Sequence, residues 1–218
     1  QAERLGITSE DCFLAVASLC FDISILDIFL PLIAGAQVVI TSREVTLDGF
    51  RLAEQLKTME ATFVQATPAT WRMLLLAEWV GDKNLTVLCG GEALSSDLAD
   101  ALLSHCGALW NLYGPTETTI WSTQQQIREI DSITVGTPLS NTKIYLFDEH
   151  LNAVPVGVPG EVYIGGQGVA RGYNHRPGLT AERFIPHPLS QTPGERLYKT
   201  GDLARYRTEG TIEMLGRL

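Results

Sequence analysis

The sequence is short of charge, and of basic charge above all. Only 19% of its 218 residues are charged, with 16 lysines and arginines against 25 aspartates and glutamates, which gives a formal net charge of −9. No stretch is rich in lysine or arginine. These features argue against nucleic acid or an anionic membrane surface as the main partner.

Paired cysteines and long apolar runs are also missing. The four cysteines lie far apart, with no CxxC pair and no histidine at metal-ligand spacing, which favours reduced, structural thiols. The longest apolar stretch, LDIFLPLIAG, is too short to span a bilayer and contains Asp27. No signal-peptide pattern stands before it. The sequence therefore favours a cytoplasmic setting.

Hydrophobic residues are plentiful, at 45% of the chain, and they follow an α/β rhythm as far as residue 130. Together with the length, this content indicates a globular chain with a sizeable core. Strands are predicted at 13–18, 37–41, 62–67, 85–91 and 108–113, and helices at 24–35, after Asp48, from Pro68 and after Ser95 or Ser96. Such alternation predicts a mostly parallel sheet with flanking helices.

The pattern changes beyond residue 130. Segments become short, Val, Ile and Tyr alternate with polar residues, and Gly, Pro and Asn mark turns. This pattern is typical of antiparallel strands and predicts a small β-barrel-like part. We therefore expect two subdomains, residues 1–130 and residues 131–218.

Three predicted strand ends carry unusual residues: 21–24 (FDIS), 90–92 (GGE) and 114–119 (GPTETT). Ligands of open parallel sheets bind beyond the carboxyl ends of the strands, so we expect these three loops to share one site. A plain turn needs only the Gly-Pro of the third loop. Its three threonines and one glutamate suggest a bound group or metal.

Taken singly, each of these residues has an ordinary explanation. Gly90 and Gly91 form a tight turn or let a flat ligand approach bare backbone. Asp22 caps the following helix, or is a half-buried carboxylate that needs a cation or donors. Glu117 is a solvated carboxylate or a ligand, and Asp202 in TGDL ends a turn or accepts ribose hydroxyls. Together they suggest a nucleotide site without a Walker or GxGxxG motif.

Five motifs occur in an order that we identify with a known family. They are FDIS (21–24), NLYGPTE (111–117), GEVYIGGQGVARGYNHRPGLT (160–180), YKTGDL (198–203) and LGR (215–217). The chain resembles the adenylation domains of nonribosomal peptide synthetases, within the adenylate-forming superfamily of AMP-binding enzymes that includes acyl-CoA synthetases and luciferases.

The resemblance implies a ligase that uses ATP and Mg²⁺ to convert an amino acid into aminoacyl-AMP. The carboxylate attacks the α-phosphorus and pyrophosphate leaves, which requires alignment and charge neutralisation. Thr116 is expected at the α-phosphate, and Glu117 at the metal. The other nucleotide contacts implied are Gly91, Glu92, Asn111, Tyr113, Gly114, Asp202 and Arg217, with Asn111 and Tyr113 at the adenine and Asp202 at the ribose.

The resemblance also assigns an amino-acid pocket. Its positions are Asp22, Ile23, Leu26, Gln65, Leu88, Gly90, Leu112, Ile120 and Trp121. Asp22 is expected to pair with the substrate ammonium. The remaining positions are mostly bulky, so they favour the smallest substrate, glycine, with alanine the nearest competitor. Ordinary core packing is the alternative for these apolar positions.

The product would be loaded onto a phosphopantetheine thiol of a peptidyl carrier protein, with a condensation domain in the same parent chain. A phosphate loop before residue 1, and a hinge with a small domain bearing a catalytic lysine after Leu218, are expected outside this sequence. We therefore expect little or no pyrophosphate exchange from the 218 residues alone.

Two departures from the family pattern stand out. Gly178 replaces a usual acidic residue, and Met214 stands where an aromatic is frequent, which puts one ribose contact in doubt. Two other functions remain open. An acyl- or aryl-acid ligase of the same superfamily would have no ammonium for Asp22 to pair with. A non-catalytic remnant would have no need of Glu117 and Asp202.

Overall fold

The chain folds into two units. In the computed structural model, residues 1–131 and 133–218 are described in full and residue 132 by its backbone alone. Unit 1 comprises residues 1–112 and 126–133, and unit 2 comprises residues 113–125 and 134–218. The segment that contains GPTE therefore belongs with the later, β-rich part of the chain.

Unit 1 is built on parallel strands with flanking helices, which confirms the predicted α/β class. The strands are β1 (Cys12–Ala15), β2 (Gln37–Ile40), β3 (Phe63–Ala66), β4 (Asp82–Gly90) and β5 (Cys106–Tyr113). The helices are α1 (Ala2–Leu5), α2 (Ile23–Ala34), α3 (Arg43–Thr46), α4 (Gly49–Thr58), α5 (Pro68–Leu76) and α6 (Ser96–His105), with a 3₁₀ turn at Ile130–Ser132. These strands pair in the order β2-β1-β3-β4-β5, and all four pairings are parallel.

Local sequence signals set the ends of the longer helices. Helix α2 stops at Gly35, which takes the left-handed conformation that glycine adopts without a Cβ penalty. Helix α4 begins after Asp48, whose carboxylate accepts from the backbone N–H groups of Phe50 and Arg51. Pro68 occupies the first turn of α5, where its missing N–H is not needed.

The core of unit 1 lies between the sheet and helices α4, α5 and α6. Leu14, Val64, Val87 and Leu109 from the strands are fully buried, and Trp71 of α5 packs in the same cluster. Side chains on one face of a strand alternate with those on the other. Strand β3 and the last residues of strand β4 are buried on both faces, as expected for central strands of a parallel sheet.

Unit 2 is built on antiparallel strands, as predicted. Its elements are a 3₁₀ turn (Thr116–Thr118), strands β7 (Thr137–Pro138), β8 (Thr142–Phe147), β9 (Gly160–Gly166), β10 (Phe184–Pro186), β11 (Arg196–Tyr206) and β12 (Ile212–Arg217), and helix α7 (Pro177–Arg183). Strand β6 (Thr123–Ile127) begins in unit 2, and its last two residues belong to unit 1. Strands β10, β11, β9 and β8 pair in that order, and β12 pairs with β11. The sheet is curled into a half-barrel.

Three short helices were not predicted from the sequence. Helices α1 and α3 have four residues each and α7 has seven, too few for a helical period to be detected. Helix α7 contains Gly178, where an added Cβ would meet nothing within 4 Å. Among the described residues, no helix is long and apolar enough to cross a membrane.

Replacement of Asp48 by alanine should lower the free energy of unfolding by about 1 kcal/mol, because two N–H groups of α4 lose their acceptor. Asp48→Asn is the matched control, since an asparagine side-chain oxygen at the N-cap can still accept from these N–H groups. Urea unfolding followed by circular dichroism compares the two. Equal losses in both variants would contradict the capping role.

Candidate functional site

The loop after β5 folds back on its own start. The backbone N–H of Ser122 donates to the carbonyl of Tyr113 at 2.8 Å. Gly114 allows this return, because a Cβ there would lie 2.5 Å from the carbonyl oxygen of Ile120 and 2.7 Å from Cα of Trp121. The GPTE loop (residues 114–122) is therefore closed at a point where only glycine fits.

Two of the three threonine hydroxyls in this loop hold the loop itself. The Thr118 hydroxyl donates to the carbonyl of Pro115 at 3.1 Å and lies 2.7 Å from the hydroxyl of Ser122. The Thr119 hydroxyl donates to the carbonyl of Gly168 at 2.8 Å. Thr116 is exposed to solvent.

The same loop stores backbone strain next to two predicted pocket residues. Thr119 and Ile120 have φ angles of 65° and 69°. Positive φ is unusual for β-branched residues, costs about 1–3 kcal/mol each, and is concentrated at functional sites. Trp121 follows directly after the strained pair and is buried, with only 5% of its surface exposed.

Glu117 is held by an aromatic hydroxyl. Tyr173 donates to Oε1 of Glu117 at 2.6 Å, and the backbone N–H of Ala170 donates to the carbonyl oxygen of Glu117 at 2.8 Å. Burial, and secondarily the adjacent carboxylate, raise the pKa of Tyr173, so its hydroxyl stays a donor. Sequence reasoning did not identify Tyr173 as a functional residue.

Asp202 is fixed from two sides. The Tyr113 hydroxyl donates to Oδ2 at 2.7 Å, and Nε of Arg217 lies 3.0 Å from Oδ1. Burial first, and then the Asp202 carboxylate, raise the pKa of Tyr113. Strand β11 shifts register between Lys199 and Leu203, where Gly201 has a φ of 79°. This bulge interrupts the ladder beside Asp202.

Asp22 stands at the N-cap position of α2, as the simplest sequence interpretation predicted. Its backbone is helical, with φ of −61°, and its side chain makes no capping hydrogen bond. A capping residue has an extended backbone that lets its side chain reach the first N–H groups. Asp22 therefore does not act as a cap.

A buried pair in unit 1, Gln65 with Asp27, was not predicted from the sequence. Gln65 and Asp27 are both fully buried. The Gln65 amide donates to Oδ1 of Asp27 at 2.6 Å and to the carbonyl of Ile23 at 3.1 Å, and the backbone N–H of Ala17 donates to Oδ2 of Asp27. In the sequence, the signal for this pair was a single aspartate between apolar residues of α2.

The bulky pocket positions of unit 1 are packed tightly. Leu88 is fully buried, Leu112 is 2% exposed and Leu26 is 8% exposed. Ile23 is half-buried, and lines with Gln65 a cavity of about 810 Å³ at the carboxyl ends of β1 and β3. Gly90, at the end of β4, is also buried.

The predicted site residues divide between the two units, and their roles stay predictions. Unit 1 contains Asp22, Ile23, Leu26, Gln65, Leu88, Gly90, Gly91, Glu92, Asn111 and Leu112, and unit 2 contains Tyr113, Gly114, Thr116, Glu117, Ile120, Trp121, Asp202 and Arg217. Within unit 1, Gly91 has a φ of 85°, Glu92 is exposed and Asn111 is 5% exposed. Within unit 2, the Tyr113 hydroxyl donates to Asp202, and the backbone N–H of Asp202 donates to the hydroxyl of Thr200.

The residues at Glu117 suit a metal that arrives with phosphate. The described residues contain no group of three or more His, Cys, Asp or Glu that would hold a bare ion. Mg²⁺ is commonly bound by one or two carboxylates, substrate phosphate oxygens and water. A single half-buried carboxylate beside an exposed threonine hydroxyl therefore fits Mg²⁺–nucleotide better than free metal.

Gly114→Ala should disrupt the GPTE loop and lower the free energy of unfolding by at least about 2 kcal/mol, because the new Cβ collides with backbone and not with a movable side chain. Gly178→Ala is the matched control, with open space around the added Cβ. Thermal unfolding gives the Tm of both variants, and Tm should fall in Gly114→Ala only. An unchanged Tm in Gly114→Ala would show that the loop return is not constrained there.

Burial raises the pKa of Asp27 from its ordinary value of 3.8 to about 7, despite the hydrogen bonds from Gln65 and Ala17. The folded chain thus keeps a proton that the unfolded chain has released. The free energy of unfolding should fall as pH rises from about 4 to about 7, by at most about 1.4 kcal/mol per pH unit. Asp27→Asn should remove this slope.

Urea unfolding at several pH values between 4.5 and 7.5 measures the slope. Asp100→Asn, which removes an exposed carboxylate, is the control for the change in net charge. The same slope in Asp27→Asn as in the unmodified chain would contradict the assignment.

Comparisons with known proteins show to which family the chain belongs. A family model described as AMP-binding enzyme matches residues 1–174. The dimodular nonribosomal peptide synthase of Bacillus subtilis (strain 168) is 46% identical over 218 residues, 99% of this chain and 9% of that protein. The chain thus spans less than a tenth of this curated relative.

Solved structures agree as well. Holo-AB3403, a four-domain nonribosomal peptide synthetase bound to AMP and glycine, has a TM-score of 0.94 and 48% identity over 100% of this chain and 16% of its own. The N-terminal subdomain of Klebsiella oxytoca NpsA, in complex with 3-hydroxyanthranilyl-AMSN, has a TM-score of 0.85 and 29% identity over 98% of this chain and 54% of its own. The chain belongs to the AMP-binding enzyme family, and its sequence is of the type found in the adenylation domains of nonribosomal peptide synthetases.

Proposed function

We propose that this chain supplies the amino-acid pocket and much of the nucleotide site of an enzyme that activates glycine with ATP as glycyl-AMP. The observation that carries the proposal is the pair of fixed carboxylates in unit 2. Asp202 is held by Tyr113 and Arg217, and Glu117 is held by Tyr173. A non-catalytic remnant would have no reason to retain both arrangements.

The nucleotide would be bound by residues with distinct tasks. Asp202, with both oxygens already oriented, has lone pairs left to accept two ribose hydroxyls. Asn111 and Tyr113 would border the adenine together with Gly91, Glu92 and Gly114. The hydroxyl of Thr116 would donate to the α-phosphate, where negative charge grows during attack by the amino-acid carboxylate.

Glu117 would hold Mg²⁺, which when bound neutralises phosphate charge. The chain's own contribution is a carboxylate whose position is restricted by Tyr173 and by the closed GPTE loop. Restricting a ligand before the substrate arrives lowers the entropy lost on binding and keeps the reacting atoms aligned.

The case for glycine rests on the bulk of the side chains at the predicted pocket positions. Leu26, Leu88, Leu112 and Trp121 are buried, bulky side chains. Overlap excludes large substrates more strongly than one added methylene attracts them, which is worth only about 1–3 kcal/mol. The similar synthetase bound to AMP and glycine supports the same choice.

Asp22 would pair with the ammonium group of the amino acid. Its side chain does not cap α2. Aminoacyl-AMP would then pass its acyl group to the phosphopantetheine thiol of a peptidyl carrier protein, and the parent chain would also contain a condensation domain. The multidomain nature of the synthetase relatives supports these two partners.

An aryl- or acyl-acid ligase is the second candidate. The similar NpsA subdomain, whose complex carries a 3-hydroxyanthranilyl group, favours it. Asp22 distinguishes the two functions, because an acid without an ammonium group would leave that carboxylate unpaired at the pocket. Sequence identity is higher to the glycine-bound synthetase, at 48%, than to the NpsA subdomain, at 29%, which favours amino-acid activation.

Leu26→Ala in the full-length protein should shift the ratio of kcat/KM for larger amino acids over glycine upward by about 10-fold or more. The reason is that a side chain that fills the pocket is shortened. An amino-acid panel in ATP–pyrophosphate exchange measures this ratio. Leu98→Ala, which shortens a buried leucine of α6 outside the pocket, is the control.

The control should lose stability without a change in preference. An unchanged preference in both Leu26→Ala and Trp121→Ala would contradict the pocket assignment. If aryl acids supported ATP–pyrophosphate exchange and none of the amino acids did, the second candidate would be favoured.

A further inference from the structure

We propose that Tyr173 is a positioning residue for the metal-binding carboxylate, and that its hydroxyl orients Glu117 so that Mg²⁺–nucleotide binds tightly. This inference rests on the proposed role of Glu117. Tyr173 lies 56 residues from Glu117 in sequence, and its hydroxyl donates to Oε1 at 2.6 Å. The short distance is typical of an O–H donor bound to a charged oxygen.

The segment that carries Tyr173 is attached to the GPTE loop at two further points. The Thr119 hydroxyl donates to the carbonyl of Gly168 at 2.8 Å. The backbone N–H of Ala170 donates to the backbone carbonyl of Glu117, also at 2.8 Å. Main chain and side chain of Glu117 are therefore both fixed by residues 168–173.

This segment is anchored in turn. The guanidinium of Arg196 donates to the carbonyls of Arg171 and Ala170 at 3.0 and 2.9 Å. The backbone N–H of Tyr173 donates to the hydroxyl of Thr180 at 2.9 Å. Arg196 and Thr180 thus hold the backbone that presents the phenol.

The hydroxyl and the ring of Tyr173 have separable roles. The ring packs edge-on against Phe184 with centroids 5.4 Å apart, which is a structural contact. The Tyr173 hydroxyl donates to one carboxylate oxygen of Glu117. The hydroxyl of the buried Tyr198 lies 3.4 Å from the Tyr173 hydroxyl and is a second side-chain hydrogen-bond partner of Glu117. A donor to a metal-binding carboxylate restricts the carboxylate's orientation, and loss of such outer partners costs about 10–100-fold in metal affinity or activity.

Tyr173→Phe keeps the ring contact and removes only the donor. The matched control is Tyr163→Phe, because Tyr163 also donates to a glutamate, Oε2 of Glu161 at 3.1 Å, on a neighbouring strand of unit 2. Both variants are made in the full-length protein. Calorimetric titration with the nonhydrolysable analogue α,β-methylene-ATP is done once with Mg²⁺ and once with excess EDTA. For each protein, the affinity for the analogue with Mg²⁺ is divided by the affinity without metal.

The ratio should fall by about 10-fold in Tyr173→Phe, while affinity without metal, KM for the amino acid and Tm stay as in the unmodified protein. Tyr163→Phe should leave the ratio unchanged. In a Glu117→Gln background, Tyr173→Phe should have no further effect, because the two residues act as one unit.

An unchanged ratio in Tyr173→Phe would overturn the proposal. So would unfolding of this variant, or an additive effect in the Glu117→Gln background, since either would show a structural role. The role of Tyr173 and the proposed amino-acid activation can be contradicted independently of each other. If the unmodified protein binds the analogue but no amino acid supports pyrophosphate exchange, amino-acid activation is wrong, while the ratio still decides the role of Tyr173.

Discussion

The return of the chain at Gly114 is the constraint on which the candidate site of unit 2 depends. With Ser122 bonded back to Tyr113 and no room for a Cβ at Gly114, residues 114–122 form a closed loop at the end of β5. Closure forces Thr119 and Ile120 into positive φ. It also fixes where Glu117 leaves the backbone. The strain is offset by hydrogen bonds of Thr118 and Thr119 within and beside the loop.

Three carboxylates of this chain have different surroundings in the fold. Asp27 is fully buried among neutral donors, so its pKa rises to about 7. Asp202 has a phenol on one oxygen and a guanidinium on the other. Glu117 is half-buried beside the phenols of Tyr173 and Tyr198. The same functional group is thus suited to support the fold, to accept hydroxyls or to bind a metal, according to its partners.

Much of the fold followed from local patterns. The rhythm of apolar segments predicted the parallel strands of unit 1, and Gly35, Asp48 and Pro68 marked helix ends that the structure confirms. Short helices such as α3 carry too little periodicity to be seen. The cap expected at Asp22 was wrong in mechanism, because the residue has a helical backbone and its side chain does not cap. Capping depends on φ and ψ as well as on residue type.

The sequence by itself determined the family, the α/β class and the residues on which the proposed chemistry depends, because ordered motifs and hydrophobic periods are local properties of the chain. Only the tertiary structure decided which partners those residues have. Tyr173 meets Glu117 across 56 residues, Tyr113 meets Asp202 across 89, and Gln65 meets Asp27 across 38. No local pattern encodes such pairs, since they arise when strand order and loop closure bring distant segments within hydrogen-bonding distance.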